Sequence, residues 1–129
     1  MRQHVYRSGE YETVEVRPGM RGAVLEGDGV TVVRWEFPPH TPRTGMHVHD
    51  DHEQYGIVMA GSIEMQIEDK VVALHAGDIY WVPKKVAHGR TLVLGEKPAI
   101  VLDVFAPPRP EYVAAAHGGP PADPTRASS

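Results

Sequence analysis

Short runs of β-branched and aromatic residues recur at close intervals along this chain, and glycine, proline or aspartate separates each run from the next. The runs occupy residues 31–37, 54–60, 62–67, 71–74, 79–82 and 99–105. Short strands spaced by turns in this way are typical of an all-β sandwich or barrel. The one helix-compatible piece, residues 111–117, is shorter than an isolated helix needs to be stable, so we expect a frayed end there.

The 129 residues of the chain suit one domain with one core. We expect the barrel to occupy residues 22–113. Residues 1–21 place valines and tyrosines among polar neighbours, which predicts an N-terminal arm that forms an edge strand or pairs with a second subunit. Residues 114–129 are rich in glycine, proline, alanine and serine without apolar periodicity, which predicts a disordered tail.

Charge and composition favour a small-molecule partner. The formal net charge is −4, and the longest run of basic residues is the pair Lys84 and Lys85, which argues against a nucleic acid partner. No apolar run approaches the ~20 residues that span a bilayer. The first residues also lack the apolar stretch of a secretory signal, so we expect no membrane partner and a cytoplasmic location. Cysteine is absent, so any metal must bind to nitrogen and oxygen ligands.

A histidine-rich motif, GMHVHDDHEQYGIVMAG, occupies residues 45–61. His47 and His49 lie two residues apart, so on a strand they point to the same face and can bind one ion. A short acidic turn then predicts a neighbouring antiparallel strand. Whichever face of that strand meets the histidines supplies the third ligand, either Gln54 or Glu53.

A second motif, AGDIYWVPKKVAHGR, occupies residues 76–90. Its sequence predicts a turn, a strand at residues 79–82 that ends at Pro83, and a tight connection that presents His88 at the start of the next strand. Three imidazoles and one further side chain would then converge inside the barrel. We expect one divalent ion there, zinc, nickel, iron or manganese, with zinc or nickel favoured; imidazole suits several of these metals, so the ligands alone do not name it.

Other polar and aromatic residues near these motifs have plainer interpretations. His52 lies in the turn of the first motif, where we expect it to be solvated, and Glu53 is expected to point outward or to orient a ligand histidine. Tyr80 and Trp81 are adjacent, so they point to opposite faces of their strand. We expect the remaining histidines to be surface residues: His4, His40, His75 and His117.

Residues 45–61 resemble the first cupin motif, and residues 77–88 are similar to the second. The resemblance implies a cupin double-stranded β-helix, a jelly-roll barrel in a single domain. In the first motif the ligand lies seven residues before the closing glycine, Gly61, which implies a metal site on His47, His49, Gln54 and His88. The chain departs from the family pattern twice, with Gln54 in place of the more usual glutamate and Lys85 in place of glycine.

A third segment, VLDVFAPPRPEYV at residues 101–113, resembles the ending of the KdgF-like cupins, which open the ring form of unsaturated uronates during pectin breakdown. That resemblance implies that Asp103 and Arg109 are catalytic residues. The family usually places an acidic residue directly after this arginine, whereas here Pro110 intervenes before Glu111. The chain is also similar to the cupin-type aromatic polyketide cyclases, which have an apolar cavity.

These features predict a metal-dependent enzyme in which the ion is a Lewis acid and Asp103 is the acid or base. Strand alternation predicts apolar walls with Arg90 as the main candidate cation, which favours cyclisation of an aromatic polyketide in antibiotic biosynthesis. The first alternative is an enzyme that opens the ring of an unsaturated uronate. A cupin dioxygenase and a noncatalytic small-molecule binding cupin are further alternatives. We expect a homodimer, because small cupins expose one apolar sheet face that a second copy can cover.

Overall fold

Two antiparallel sheets face each other in this protein, whose structure is a computed structural model that describes residues 3–122. The larger sheet has the strand order β1-β2-β3-β10-β5-β8, and the smaller has the order β4-β9-β6-β7. The elements, in chain order, are β1 (Val14–Arg17), β2 (Met20–Glu26), β3 (Thr31–Phe37), β4 (Met46–His47), β5 (Glu53–Ala60), β6 (Ser62–Ile67), β7 (Lys70–His75), β8 (Ile79–Val82), β9 (His88–Leu94), β10 (Ala99–Ala106) and α1 (Pro110–Ala116). The all-β class predicted from the sequence is confirmed.

The core lies between the sheets and follows the alternation of the strands. In β3 and β10 every second residue is buried, and β5 follows the same pattern from residue 54 to residue 58. β10 pairs with both β3 and β5, so the inward residues of these three strands form one continuous surface. That surface is apolar along most of its length and also holds the buried polar residues Thr31, Gln54 and Asp103.

The chain leaves β4 for the opposite sheet. β4 pairs with β9 in the four-stranded sheet, whereas β5 pairs with β10 and β8 in the six-stranded sheet. The neighbouring antiparallel strand expected after the histidine pair is therefore wrong. The turn at residues 50–51 crosses between the sheets, and the first motif consequently contributes side chains from both walls of the barrel.

β1 lies at the edge of the six-stranded sheet and contains an irregularity. Its register with β2 shifts between Glu15 and Arg17, and the adjacent residues Val16 and Arg17 are both buried. Such a β-bulge breaks the strict alternation of a strand. It places a charged side chain inside the barrel at a position where alternation gives no sign of it.

Helix α1 packs against the barrel, so the frayed end expected at residues 111–117 is wrong. Its Tyr112 is 1% exposed and meets the rings of Trp35 and Phe105 edge-on at centroid distances of 5.8 and 5.4 Å. Tertiary packing of one large aromatic residue stabilises a helix too short to form alone. Beyond it, the Ala122 N–H donates to the Val16 carbonyl at 2.7 Å, and residues 123–129 of the predicted tail lie outside the described residues.

Within residues 3–122 no helix is long and apolar enough to cross a membrane.

Candidate metal centre

Three histidines meet at one end of the interior. His47 on β4 is the direct cross-strand partner of His88 on β9, and His49 follows two residues after His47. One ring nitrogen from each histidine lies within 4.8 Å of the others, and among the described residues this is the one such group of histidine and acidic side chains. Because metal–imidazole distances are about 2.0–2.1 Å, small side-chain shifts would bring all three onto one ion.

Two unpartnered buried atoms test whether this site fits a metal. His88 Nδ1 donates to the Val86 carbonyl oxygen at 3.0 Å, so its Nε2 keeps a lone pair, and Nε2 is buried with no hydrogen-bond partner. Gln54 Oε1 is likewise buried without a partner, while the Gln54 side chain hydrogen-bonds with Asp103 and Tyr80. A buried acceptor without a donor is costly, and a metal ion would satisfy both atoms.

The electrostatic surroundings keep the imidazoles neutral. Burial, followed by the Arg109 guanidinium, lowers the pKa of His49 to about 2. Burial lowers the pKa of His88 to about 4, against the opposing hydrogen bond to Val86, and burial together with Arg17 holds the pKa of His47 far below its usual range. Metal ligation requires the unprotonated ring, so the histidines are in the form that binds a cation.

Asp103 lies in a row of three residues that crosses adjacent strands. Gly56 on β5 is the cross-strand partner of both Asp103 on β10 and Tyr80 on β8. Because Gly56 has no side chain, the Tyr80 hydroxyl reaches across it and donates to Asp103 Oδ1, and Trp35 Nε1 donates to Oδ2 at 2.8 Å. A Cβ atom at position 56 would overlap both the Tyr80 ring and the Asp103 carboxylate.

The carboxyl group of Asp103 is poised to exchange a proton near neutral pH. Burial raises its pKa to about 6, and the hydrogen bonds from Tyr80, Trp35 and Gln54 oppose that rise. Burial and the neighbouring Asp103 in turn raise the pKa of Tyr80 well above its usual value, so the phenol stays a donor. A buried carboxyl group with a pKa near neutrality is of the kind that can act as a general acid or base.

Arg109 is also buried, at the edge of the histidine cluster. Its Nη1 lies 3.2 Å from His49 Nε2, and its guanidinium lies 4.3 Å from the centre of the Tyr112 ring. Its Nε donates to Glu111. The acidic residue that stands one position later than in the family pattern therefore still pairs with the arginine.

Arg17 was missed from the sequence. The side chain is 6% exposed, and its Nη1 lies 3.3 Å from Nε2 and 3.4 Å from Nδ1 of His47. It shares one cavity with Gln54, Tyr80, His88 and Asp103. In the sequence Arg17 simply follows Val14, Glu15 and Val16, and the bulge in β1 hides its inward direction.

Arg90, predicted as the main candidate cation, is exposed instead. Gly89 and Arg90 have φ values of 134° and 49°, and the pairing of β9 with β6 shifts register between Glu64 and Gln66. This irregularity ends the alternation that would have placed Arg90 on the same face as His88.

His52 and Glu53 lie away from the metal cluster. His52 is 2% exposed and its Nε2 donates to the Pro108 carbonyl at 3.1 Å, so the solvated position expected for it is wrong. Glu53 is exposed and accepts a hydrogen bond from Trp81 Nε1 at 2.9 Å, which leaves Tyr80 as the inward member of its pair. The predicted surface histidines are all exposed: His4, His40, His75 and His117.

The fold and the histidine site define the class of the protein. Residues 33–105 match the cupin domain, and the chain belongs to the cupin family. The predicted double-stranded β-helix is thereby confirmed. A cupin barrel with this histidine triad indicates a divalent metal.

Relatives narrow the resemblance to KdgF proteins. The pectin degradation protein KdgF of Dickeya dadantii (strain 3937) is 37% identical over 67 residues, which are 52% of this chain and 59% of that protein. This chain thus matches under two thirds of that relative. The structure of KdgF from Halomonas sp. aligns with a TM-score of 0.71 at 25% identity, over 81% of this chain and 94% of that one. An RmlC-like cupin from Shewanella frigidimarina NCIMB 400 shares the fold, with a TM-score of 0.73 at 23% identity over 85% and 96% of the chains.

Proposed function

We propose that this cupin is a metal-dependent enzyme that opens the ring form of an unsaturated uronate in pectin degradation. The observation that carries the proposal is Asp103, a carboxyl group with a pKa near neutrality in the same cavity as His47, His88 and Gln54. The similarity to KdgF proteins supports the substrate class. An enzyme of this kind needs a cation to polarise the substrate and one group to move a proton.

The proposed ligands of the ion are His47, His49, Gln54 and His88. When bound, a divalent ion on these neutral ligands supplies a strong Lewis acid for an oxygen of the substrate. Zinc or nickel is the proposed ion; imidazole nitrogen suits both metals, and metal analysis of the purified protein identifies the one that is bound. Arg109 lies beside His49 and is fixed by Glu111 and Tyr112; it is proposed to act through its positive charge, which disfavours protonation of that ligand.

Asp103 moves the proton that ring opening requires. An unsaturated uronate is both a hemiacetal at C1 and an enol ether at C4 and C5. The Asp103 carboxylate takes the proton of the C1 hydroxyl, and C1 forms a double bond to that oxygen to give an aldehyde. The bond from C1 to the ring oxygen breaks, and its electron pair stays on the ring oxygen as an enolate with C5 and C4. Asp103 then returns the proton to C4, which leaves a ketone at C5 and no net gain or loss of atoms. Tyr80 and Trp35 hold the carboxylate in place throughout.

The charge of the cavity supports a sugar acid over an aromatic polyketide. The polyketide hypothesis depended on apolar walls with Arg90 as the main candidate cation. The cavity does contain Trp35, Phe37 and Val101, but it also contains buried Arg17. A buried guanidinium favours an anionic ligand, whereas a neutral poly-β-ketone has no charged group to pair with it.

The test is turnover of an unsaturated monouronate, released from pectate by a lyase, by the metal-loaded protein. Loss of the ultraviolet absorbance of the C=C bond and appearance of the open ketone by NMR should both exceed the spontaneous rate. Asp103→Asn should lower turnover at least about 100-fold with unchanged metal content, whereas the exposed control Asp69→Asn should keep full activity. Cyclisation of a poly-β-ketone without uronate turnover would contradict the proposal. If the protein turns over neither compound, and Asp103→Asn binds the uronate as tightly as the natural chain does, the protein is a binding cupin.

A further inference from the structure

Arg17 is a buried cation to which the described residues 3–122 offer no acidic partner. Its guanidinium lies 3.3 to 3.5 Å from the two ring nitrogens of His47, and within residues 3–122 no aspartate or glutamate forms an ion pair with it. Arg109 differs, because its guanidinium pairs with Glu111. Burial of a charge is unfavourable unless a partner of opposite charge is present, so an anionic ligand beside Arg17 would lower the cost of keeping this side chain in the cavity.

The cavity around Arg17 is short of negative charge. Asp103 is the one acidic residue among the described residues that line it, and both of its carboxylate oxygens already accept hydrogen bonds from Tyr80 and Trp35. Gln54 and the histidines are neutral. A divalent cation on the histidines would add two further positive charges next to Arg17, and an anionic ligand would balance them.

We propose that Arg17 binds the carboxylate of the substrate and so determines the preference of this enzyme for sugar acids. The assignment rests on the proposed function and adds to it the residue that recognises the acid group. A guanidinium forms two parallel hydrogen bonds with a carboxylate, and Arg17 presents its guanidinium beside His47. The same cavity is lined by His47, His88 and Asp103, so a carboxylate bound to Arg17 lies close to the proposed metal ligands and to the proposed acid or base.

The position of Arg17 in the fold supports this role over a structural one. The bulge between Glu15 and Arg17 turns the side chain inward, although an outward direction would have left it solvated at the edge of the sheet. Arg109, the other buried cation, is covered by the Tyr112 ring at 4.3 Å and occupied by Glu111 and His49. Of the two buried arginines in the described part of the chain, Arg17 is therefore the one that has no carboxylate already bound to it there.

The experiment compares ligands that differ only in charge. Binding of galacturonate and of its neutral methyl ester to the metal-loaded protein is measured by calorimetry for the natural chain and for Arg17→Gln, Arg17→Lys and Arg90→Gln. Arg17→Gln should weaken galacturonate binding about 10- to 100-fold, the effect of losing a charge-assisted hydrogen-bond pair, and should leave ester binding unchanged. Arg17→Lys should retain part of the preference, and the exposed control Arg90→Gln should retain all of it.

Turnover separates this inference from the proposed function. With the unsaturated uronate, Arg17→Gln should raise KM more than it lowers kcat, at equal metal content. Active Arg17→Gln protein with unchanged KM and unchanged galacturonate binding leaves the proposed function standing and overturns the role of Arg17. Natural protein that does not turn over the uronate, but binds galacturonate through Arg17, keeps the carboxylate site and overturns the proposed function. If Arg17→Gln does not fold, an equal loss of acid and ester binding in Arg17→Lys would overturn the inference.

Discussion

At the scale of single residues, the absence of a side chain at Gly56 is what allows Tyr80 to contact Asp103. The Tyr80 hydroxyl crosses over it to Asp103, and a methyl group there would overlap both. We expect Gly56→Ala to displace the carboxylate and lower turnover about 100-fold, because small misplacements of catalytic groups have effects of this size. The overpacking should also lower the free energy of unfolding by about 1–3 kcal/mol, which urea denaturation measures. Gly29→Ala, where a Cβ meets nothing within 4 Å, is the matched control.

A second variant tests whether Gly56 acts through Tyr80. Tyr80→Phe removes the hydroxyl that donates to Asp103 and adds no atoms. If the two residues act through one contact, the double variant should lose less activity than the product of the two single losses. Independent, multiplicative losses would show that Gly56 matters for another reason.

The residues of the site differ in how far they could be predicted. The role of Asp103 could be predicted from the sequence, because a carboxylate between Leu102 and Val104 on an alternating strand is unusual unless it faces a polar cavity. The histidines and Gln54 could be proposed because their spacing carries the motif. The inward position of Arg17 could not be predicted. It depends on a bulge in the pairing of β1 with β2, which reverses the direction that strand alternation gives this side chain.

At the scale of elements, strands with a clear local pattern were predicted, and elements that lack such a pattern or depend on distant residues were missed. β3, β6 and β8 have the predicted bounds, because each is a short apolar run closed by turn residues. β2 was missed because Arg21 and Gly22 interrupt its apolar residues. Helix α1 was expected to fray because its stability comes from Tyr112, whose partners Trp35 and Phe105 are distant in sequence.

The turn before β9 holds a residue in an unfavourable conformation. Lys85 has a φ of 67°, the conformation that a type II turn requires of its third residue and that glycine adopts most easily. For a residue with a side chain this costs about 1–2 kcal/mol, whereas glycine loses about 0.5–1 kcal/mol through chain entropy. We expect Lys85→Gly to leave the free energy of unfolding unchanged or to raise it by up to about 1 kcal/mol, as measured in urea.

Lys84, the preceding exposed residue, is the control for this turn. Its φ is not positive, so Lys84→Gly gains nothing and should lower the free energy of unfolding by about 0.5–1 kcal/mol. Equal losses for the two variants would mean that the Lys85 side chain stabilises the turn and that its conformation carries no cost.

At the scale of the whole molecule, each of the two sheets contributes a different part of the site. The four-stranded sheet contributes His47 and His88, and the six-stranded sheet contributes Gln54, Asp103 and Arg17. The proposed ligands and the acid or base therefore meet only when the sheets close on each other. Binding of an ion across this interior should couple to folding of the barrel.

The outer face of the six-stranded sheet bears on the expected homodimer. On β5 and its edge neighbour β8, Tyr55 and Trp81 stack at 6.3 Å, and the exposed fraction of Ile79 is 64%. An apolar patch at a sheet edge is the kind of surface that a second copy covers. We expect the natural chain to have the mass of two chains by light scattering, and Ile79→Lys to have the mass of one, because it would bury a charge. Val71→Lys, at a site 60% exposed on the other sheet, should stay dimeric; a monomeric natural chain, or equal dissociation by both variants, would contradict dimerisation through this face.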